Sequence, residues 1–139
     1  MKTTCFLDAN IFLRFLTGDD RRKAEACRRL VQKAVEGKVA LSTHPLILAE
    51  VVWVLESYYG LKRGDIAVKL DMILNTPNLA VSEGDAFAQA VELYAGSSLD
   101  LADCFAAAKA TQEGAVLISY DRGFDSIEGL ARVEPDGVR

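Results

Sequence analysis

TTCFLDANIFLRFL (3–16) is the stretch on which the fold turns. TTCFL (3–7) is a β-prone, mostly apolar run, too short for a helix. Asp8 ends it. NIFLRFL (10–16) then carries apolar residues at helical spacing and stops at Thr17-Gly18. Strand, acid, helix is the opening of a β/α unit. In sheets built from such units, sites form in the crevice beyond the carboxyl ends of the strands. Asp8 therefore stands where chemistry is expected, with Asn10 two residues on.

The rest of the chain repeats that alternation. Asp19 or Asp20 can cap a helix running to about Gly37, with Ala24, Cys27, Val31 and Ala34 as its buried stripe. KVALS (38–42) reads as a strand. Thr43 is placed to cap the next helix, which carries His44 and Pro45 in its first turn and ends near Gly60. A further helix over about 64–75 stops before Pro77, and LAVS (79–82) follows as a strand. A helix from about Glu83 to Ala95 comes next. Ser97-Ser98 opens another, which ends at Gly114. AVLISY (115–120) is a fourth strand and RVE (132–134) a fifth. This order implies one α/β domain over residues 1–139, a mostly parallel sheet with helices on both faces.

Composition narrows the function. A chain of 139 residues, 50% hydrophobic and 26% charged, is long enough for one globular core and reads as soluble. No run approaches the roughly 20 apolar residues of a membrane span, and MKTTCFLDAN lacks the apolar core of a signal peptide, so a cytoplasmic protein is expected. Cys5, Cys27 and Cys104 are odd in number, widely spaced and set among apolar residues, which implies reduced thiols. His44 is the one histidine and has no ligand-spaced neighbour. A net charge of −4 argues against a protein that coats nucleic acid with a basic surface, but leaves room for a nuclease whose metal supplies the positive charge.

Four acids stand out. Asp121 follows AVLISY as Asp8 follows TTCFL, so two carboxylates sit at carboxyl strand ends. Either one alone is better read as a loop acid or a turn-forming aspartate, and it is the pair that points to a site. Glu50 lies in HPLILAEVVWVLESYYG (44–60), a helix apolar on nearly every side and expected to be mostly buried. A charge there needs a partner, such as Arg14, or a wet pocket. Asp103 lies in SSLDLADCFAAAKA (97–110), where Asp100 is a natural N-cap and Asp103 a first-turn acid, on the same face three residues on. The mouth of a buried helix suits a site as well as a cap.

If these acids converge, they repel. Two unit charges about 4 Å apart cost roughly 4 kcal/mol at an effective dielectric of about 20. Either some stay protonated or a cation sits among them. A set of oxygens without Cys or His selects magnesium or manganese over zinc. Such an ion suits hydrolysis at phosphorus. Neither GxGxxG nor GxxxxGK[ST] occurs, so nucleotide binding is not indicated.

FLDAN (6–10), LAEVVWVL (48–55), LDLADCFAAA (99–108) and LISYDRGFD (117–125), in that order and spacing, resemble a PIN domain, and within that family a VapC-type toxin ribonuclease. The resemblance covers about residues 3 to 135. It implies a three-layer α/β/α sandwich and a magnesium- or manganese-dependent endoribonuclease acting on single-stranded regions of RNA. It places Asp8, Glu50, Asp103 and Asp121 at the family's four acidic positions, with Asp8 and Asp103 holding the metal most directly. Asn10 and Ser119 match supporting polar positions. It also implies a homodimer and a small antitoxin partner that inserts near the acids. Arg14 and Arg122 lie nearest the acids in sequence and are candidate contacts to the RNA backbone. For Arg21, Arg22, Arg28 and Arg29 a solvated helix face is the better reading. The stretch around Trp53, Tyr58 and Tyr59 is a candidate dimer face, with core packing favoured for Trp53.

Other readings remain. A haloacid-dehalogenase-type phosphatase wants Asp-x-Asp after the first strand, and here the third position is Asn10. A non-cleaving binding module would gain nothing from four acids that repel RNA. A nuclease of RNA processing with no toxin role is compatible with the same residues.

Overall fold

A computed structural model of the chain describes residues 2–139. Among the described residues, six α-helices alternate with five strands, and every strand pairing is parallel. The fold is therefore α/β. It comprises two compact units, one running to Gly84 and one over Asp85–Arg139.

The first unit is built on three strands, β1 (Thr3–Phe6), β2 (Val39–Thr43) and β3 (Leu79–Val81), in the order β1-β2-β3. Helices α1 (Ala9–Thr17) and α2 (Arg21–Val35) join β1 to β2. Helices α3 (Pro45–Ser57) and α4 (Arg63–Leu74) join β2 to β3. Both crossovers step the same way along the sheet, so the right-handed rule places these four helices on one face. The register sets Cys5, Leu41 and Leu79 side by side on one face, with Leu41 and Leu79 buried. Helix α1 buries Phe12 and Leu13 and packs against α2 and α3. In α2, Ala24, Cys27 and Ala34 are buried as the stripe implies, and Val31 is half-buried.

The caps refine the sequence reading. Gly18 closes α1 in the left-handed conformation (φ 66°), its N–H donating to the Arg14 carbonyl at 3.1 Å. Asp20 caps α2, accepting from the Lys23 N–H at 3.1 Å, while Asp19 turns to Arg14. The cap of α3 is His44, not Thr43: the Leu46 N–H donates to His44 Nδ1 at 3.0 Å. Thr43 stays in β2, buried, and its hydroxyl donates to the Leu7 carbonyl at 3.1 Å. A buried hydroxyl needs a partner, and the neighbouring strand end supplies one.

The second unit holds α5 (Gly84–Gly96), α6 (Leu101–Glu113), β4 (Leu117–Ile118) and β5 (Arg132–Val133), with β4 and β5 paired. Glu83 has φ 53°, so it stands outside the helix expected to begin there. Helix α6 buries Cys104, Ala107, Ala108 and Ala110, small side chains that let a neighbour approach closely. Phe105 meets Phe87 of α5, ring centroids 6.4 Å apart. The cysteines are all free, with Cys27 and Cys104 buried and Cys5 partly so.

The fourth strand is shorter than AVLISY suggests. Ala115 is spent closing α6, donating to the Ala110 carbonyl at 2.8 Å. Beyond Ser119, whose N–H still donates to Val133, the Asp121 N–H bonds to the Ser119 hydroxyl and the chain turns out of the ladder. A 3₁₀ turn over Arg122–Ser126 follows. No described helix is long and apolar enough to cross a membrane.

Candidate active site

The first unit presents Asp8 one residue beyond Leu7 at the end of β1, as the N-cap of α1. Its Oδ1 accepts from the N–H groups of Asn10 (3.1 Å) and Ile11 (3.4 Å). The carboxylate satisfies two of the donors a helix start leaves unpaired and sits at the positive end of the helix dipole. It is exposed, as is Asn10.

Glu50 is exposed as well, which corrects the expectation of a buried acid. Helix α3 buries Leu48, Val51, Val52 and Leu55, a stripe at helical spacing. Leu46, Glu50, Trp53 and Ser57 form a second, outward stripe at spacings of four, three and four. Leu46 is 75% exposed and Trp53 66%, so Trp53 is not a core residue. A sequence apolar all round conceals which stripe faces out. Glu50 thus stands in water between two apolar side chains and needs no buried partner.

Nor is Arg14 its partner. Arg14 Nη1 donates to Asp19 Oδ1 at 2.9 Å, and the Tyr59 hydroxyl donates to the other oxygen of Asp19. The Tyr59 and Arg14 hydrogen bonds hold the Asp19 carboxyl below the usual aspartate range. Bonded to Asp19, the Arg14 guanidinium is raised in turn. This network ties α1, the turn after it and the end of α3 together. The guanidinium borders an open cleft with Asn10, Ile11, Lys23 and Cys27.

The second unit brings three acids into mutual reach. Asp100 caps α6, its Oδ1 accepting from the Asp103 N–H at 2.9 Å. Asp103, in the first turn, is half-buried. Burial first, then the charges of Asp100 and Asp121, raise its carboxyl above the ordinary aspartate range. Asp121, exposed, caps the 3₁₀ turn after β4, its Oδ1 accepting from the Gly123 N–H at 2.7 Å. Ser119, half-buried, accepts from the Asp121 N–H at 3.0 Å. Arg122 is exposed beside Asp121, and its charge helps hold down the Asp125 carboxyl, which is bonded to Arg132.

Two further residues with structural parts to play are almost silent in the sequence. Gly123 lies so close to the carboxylate that a Cβ on it would stand 3.0 Å from Asp121 Oδ1 and 3.1 Å from Leu99 Cδ2. Arg132, in β5, reaches Asp125 and the Ser119 carbonyl. A glycine after Asp-Arg is a weak hint, and one arginine in a two-residue strand is none.

Among the described residues no group of three or more His, Cys, Asp or Glu side chains is placed to hold a metal ion. Magnesium does not require such a cage: it binds through one or two carboxylates and keeps several waters. Asp103, with its charge disfavoured by burial and by two neighbouring acids, is an oxygen donor that a divalent cation would relieve. The donor chemistry fits magnesium or manganese.

The PIN domain family profile matches residues 5–130. A VapC ribonuclease from Aquifex aeolicus (strain VF5) is 27% identical over 130 residues, covering 93% of this chain and 95% of that protein. The crystal structure of VapBC2 from Rickettsia felis bound to a DNA fragment from their promoter aligns over 95% of this chain and 98% of its own at 18% identity. Its TM-score is 0.39, too low to carry weight.

Proposed function

Since this chain belongs to the PIN domain family, we propose that it is a metal-dependent endoribonuclease that hydrolyses phosphodiester bonds in single-stranded regions of RNA, and the toxin of a VapBC-type pair. The observation that carries the reading is Asp103: a half-buried acid at the mouth of α6, one helical step from Asp100, its carboxyl raised above the ordinary aspartate range by burial first and then by the charges of Asp100 and Asp121. Such a cluster repels a phosphodiester unless a cation joins it. The similarity to a VapC ribonuclease along nearly the whole of both chains supports the choice of RNA.

The proposed catalytic set is Asp8, Glu50, Asp103 and Asp121. Asp8 and Asp103 would hold the ion, Mg²⁺ or Mn²⁺. When bound, the ion supplies an acidified water and neutralises charge on the phosphate oxygens. Glu50 and Asp121 would orient waters and accept the proton released by the attacking one. Asn10, Ser119 and Asp100 are the supporting residues: Ser119 fixes the backbone of Asp121 and Asp100 that of Asp103. Arg122 would meet the RNA backbone, and Arg14, whose guanidinium is already oriented by Asp19, is a second candidate contact.

The proposed partners are a small cognate antitoxin and a second copy of the chain, in a single cytoplasmic PIN domain spanning residues 1–139. The outward stripe of α3, Leu46 and Trp53 beside the exposed Tyr58, supports a protein partner there. The test is cleavage of one labelled RNA presented single-stranded and annealed to its complement, with magnesium. Cutting of the single strand alone is expected. Cutting of neither, across a panel of structured cellular RNAs, would contradict the reading.

A further inference from the structure

We propose that Arg132 is the positioning residue for Asp121: one guanidinium pins both ends of the seven-residue loop that carries this acid. The inference rests on the reading of Asp121 as part of the site. Arg132 Nε and Nη2 donate to the two carboxylate oxygens of Asp125, at 2.8 and 3.1 Å. Its Nη1 donates to the Ser119 carbonyl at 2.9 Å, with Glu134 Oε2 3.5 Å away. The side chain is only 12% exposed, so the fork is held in place. Residues 119 and 125 are therefore joined through one planar group, and Asp121 lies on the arc between them.

Within and just beyond the arc, short-range bonds order the chain. Ser119 Oγ accepts from the Asp121 N–H at 3.0 Å, and Asp121 Oδ1 accepts from the Gly123 N–H at 2.7 Å. The Ser126 hydroxyl donates to the Gly123 carbonyl at 2.8 Å, and the Phe124 side chain is buried. One carboxylate oxygen is thereby committed to the loop, on a residue that is exposed. A rigid planar fork can do this where a lysine cannot. Lysine offers a point charge on a flexible stem and cannot meet both Asp125 oxygens and a carbonyl in fixed directions. Groups of this kind, behind an acid that orders waters around a proposed ion, fix the direction of that acid.

The test compares Arg132→Lys and Asp125→Asn with Val91→Ala, a core change in α5, outside the loop and its clamp, that lowers stability. Amide exchange at Asp121 and Gly123 reads the loop itself, with no metal or RNA present. Mn²⁺ binding by calorimetry reads the consequence. Arg132→Lys and Asp125→Asn are each expected to speed exchange at both amides and to weaken Mn²⁺ binding by about tenfold. Val91→Ala should do neither, beyond the uniform rise in exchange that its lower stability brings. Exchange in Arg132→Lys matching that in Val91→Ala would overturn the proposal. So would faster exchange with unchanged Mn²⁺ affinity, because the loop would then be loosened without consequence for the acid. A wild-type protein whose Mn²⁺ binding is absent, or unaffected by Asp103→Asn, would instead sink the metal-site reading, and the exchange data would still decide whether the clamp exists.

Discussion

Asp100 accepts the backbone N–H of Asp103 at 2.9 Å, so the acid that caps α6 also fixes the acid one turn above it. The geometry that starts the helix holds two like charges on one face, against the third at Asp121. The charge that the proposed site needs at this turn is one that costs stability, and that opposition can be measured.

Asp103→Asn should raise the melting temperature of the metal-free protein at neutral pH, by on the order of 2 °C. An acid whose folded value lies above its unfolded value binds protons more readily when folded. Its stabilising effect is complete below the ordinary aspartate value, about 3.9, and is lost as pH rises through the raised value. Melts of wild type and variant from acid to neutral pH should converge at the acid end and separate in that window. The same protonation competes with metal, so the acid limb of cleavage should lie above the ordinary aspartate range. A lower melting temperature in Asp103→Asn at pH 7 would contradict this.

Asp8 serves as both cap and proposed ligand, and two substitutions separate the roles. Asparagine caps a helix as well as aspartate does, so Asp8→Asn should leave urea unfolding nearly unchanged, while Asp8→Ala costs about 1 kcal/mol. Cleavage should fall in both by more than about 100-fold, since even outer partners of a metal are worth about 10–100-fold. Retained cleavage in Asp8→Asn would remove Asp8 from the site.

Gly123→Ala should damage activity more than stability. Its Cβ would press on Asp121 Oδ1 and Leu99 Cδ2 at about 3 Å. The loop is exposed and can yield, so the cost should be about 1 kcal/mol, the low end for overpacking. The carboxylate must turn to make room, and cleavage should fall about tenfold. Urea melts beside initial rates make the comparison. Equal activity would show that Asp121 tolerates the shift.

Trp53→Ser should move stability by no more than about 0.5 kcal/mol, the usual range for an exposed position. Leu48→Ala, fully buried on the opposite stripe of α3, should cost about 2–5 kcal/mol. The proposed self-association should weaken in Trp53→Ser, which light scattering reads.

Much of this was legible in the sequence. The strand–acid–helix order of 3–16 gave the parallel α/β fold, and the spacing of Ala24, Cys27 and Ala34 marked a buried stripe. Asp100 was readable as a cap because a carboxylate before LADC leaves few alternatives. The failures have physical causes. Leu46, Trp53 and their neighbours make α3 apolar all round, so periodicity could not say that Glu50 and Trp53 face outward. AVLISY looked like a six-residue strand because propensity does not know that Ala115 closes a helix and Ser119 starts a turn. Arg132 acts through contacts with residues 7 and 13 positions away, a distance at which sequence spacing is silent.

The most direct test of the central claim is cleavage of a labelled single-stranded RNA by purified protein with magnesium, with manganese and with EDTA, beside Asp103→Asn. Cutting that requires the divalent ion, stops in EDTA, returns on adding metal back and is absent from the folded variant is the expected result. Cutting that persists in EDTA, or that Asp103→Asn retains in full, would contradict a metal site built on this acid.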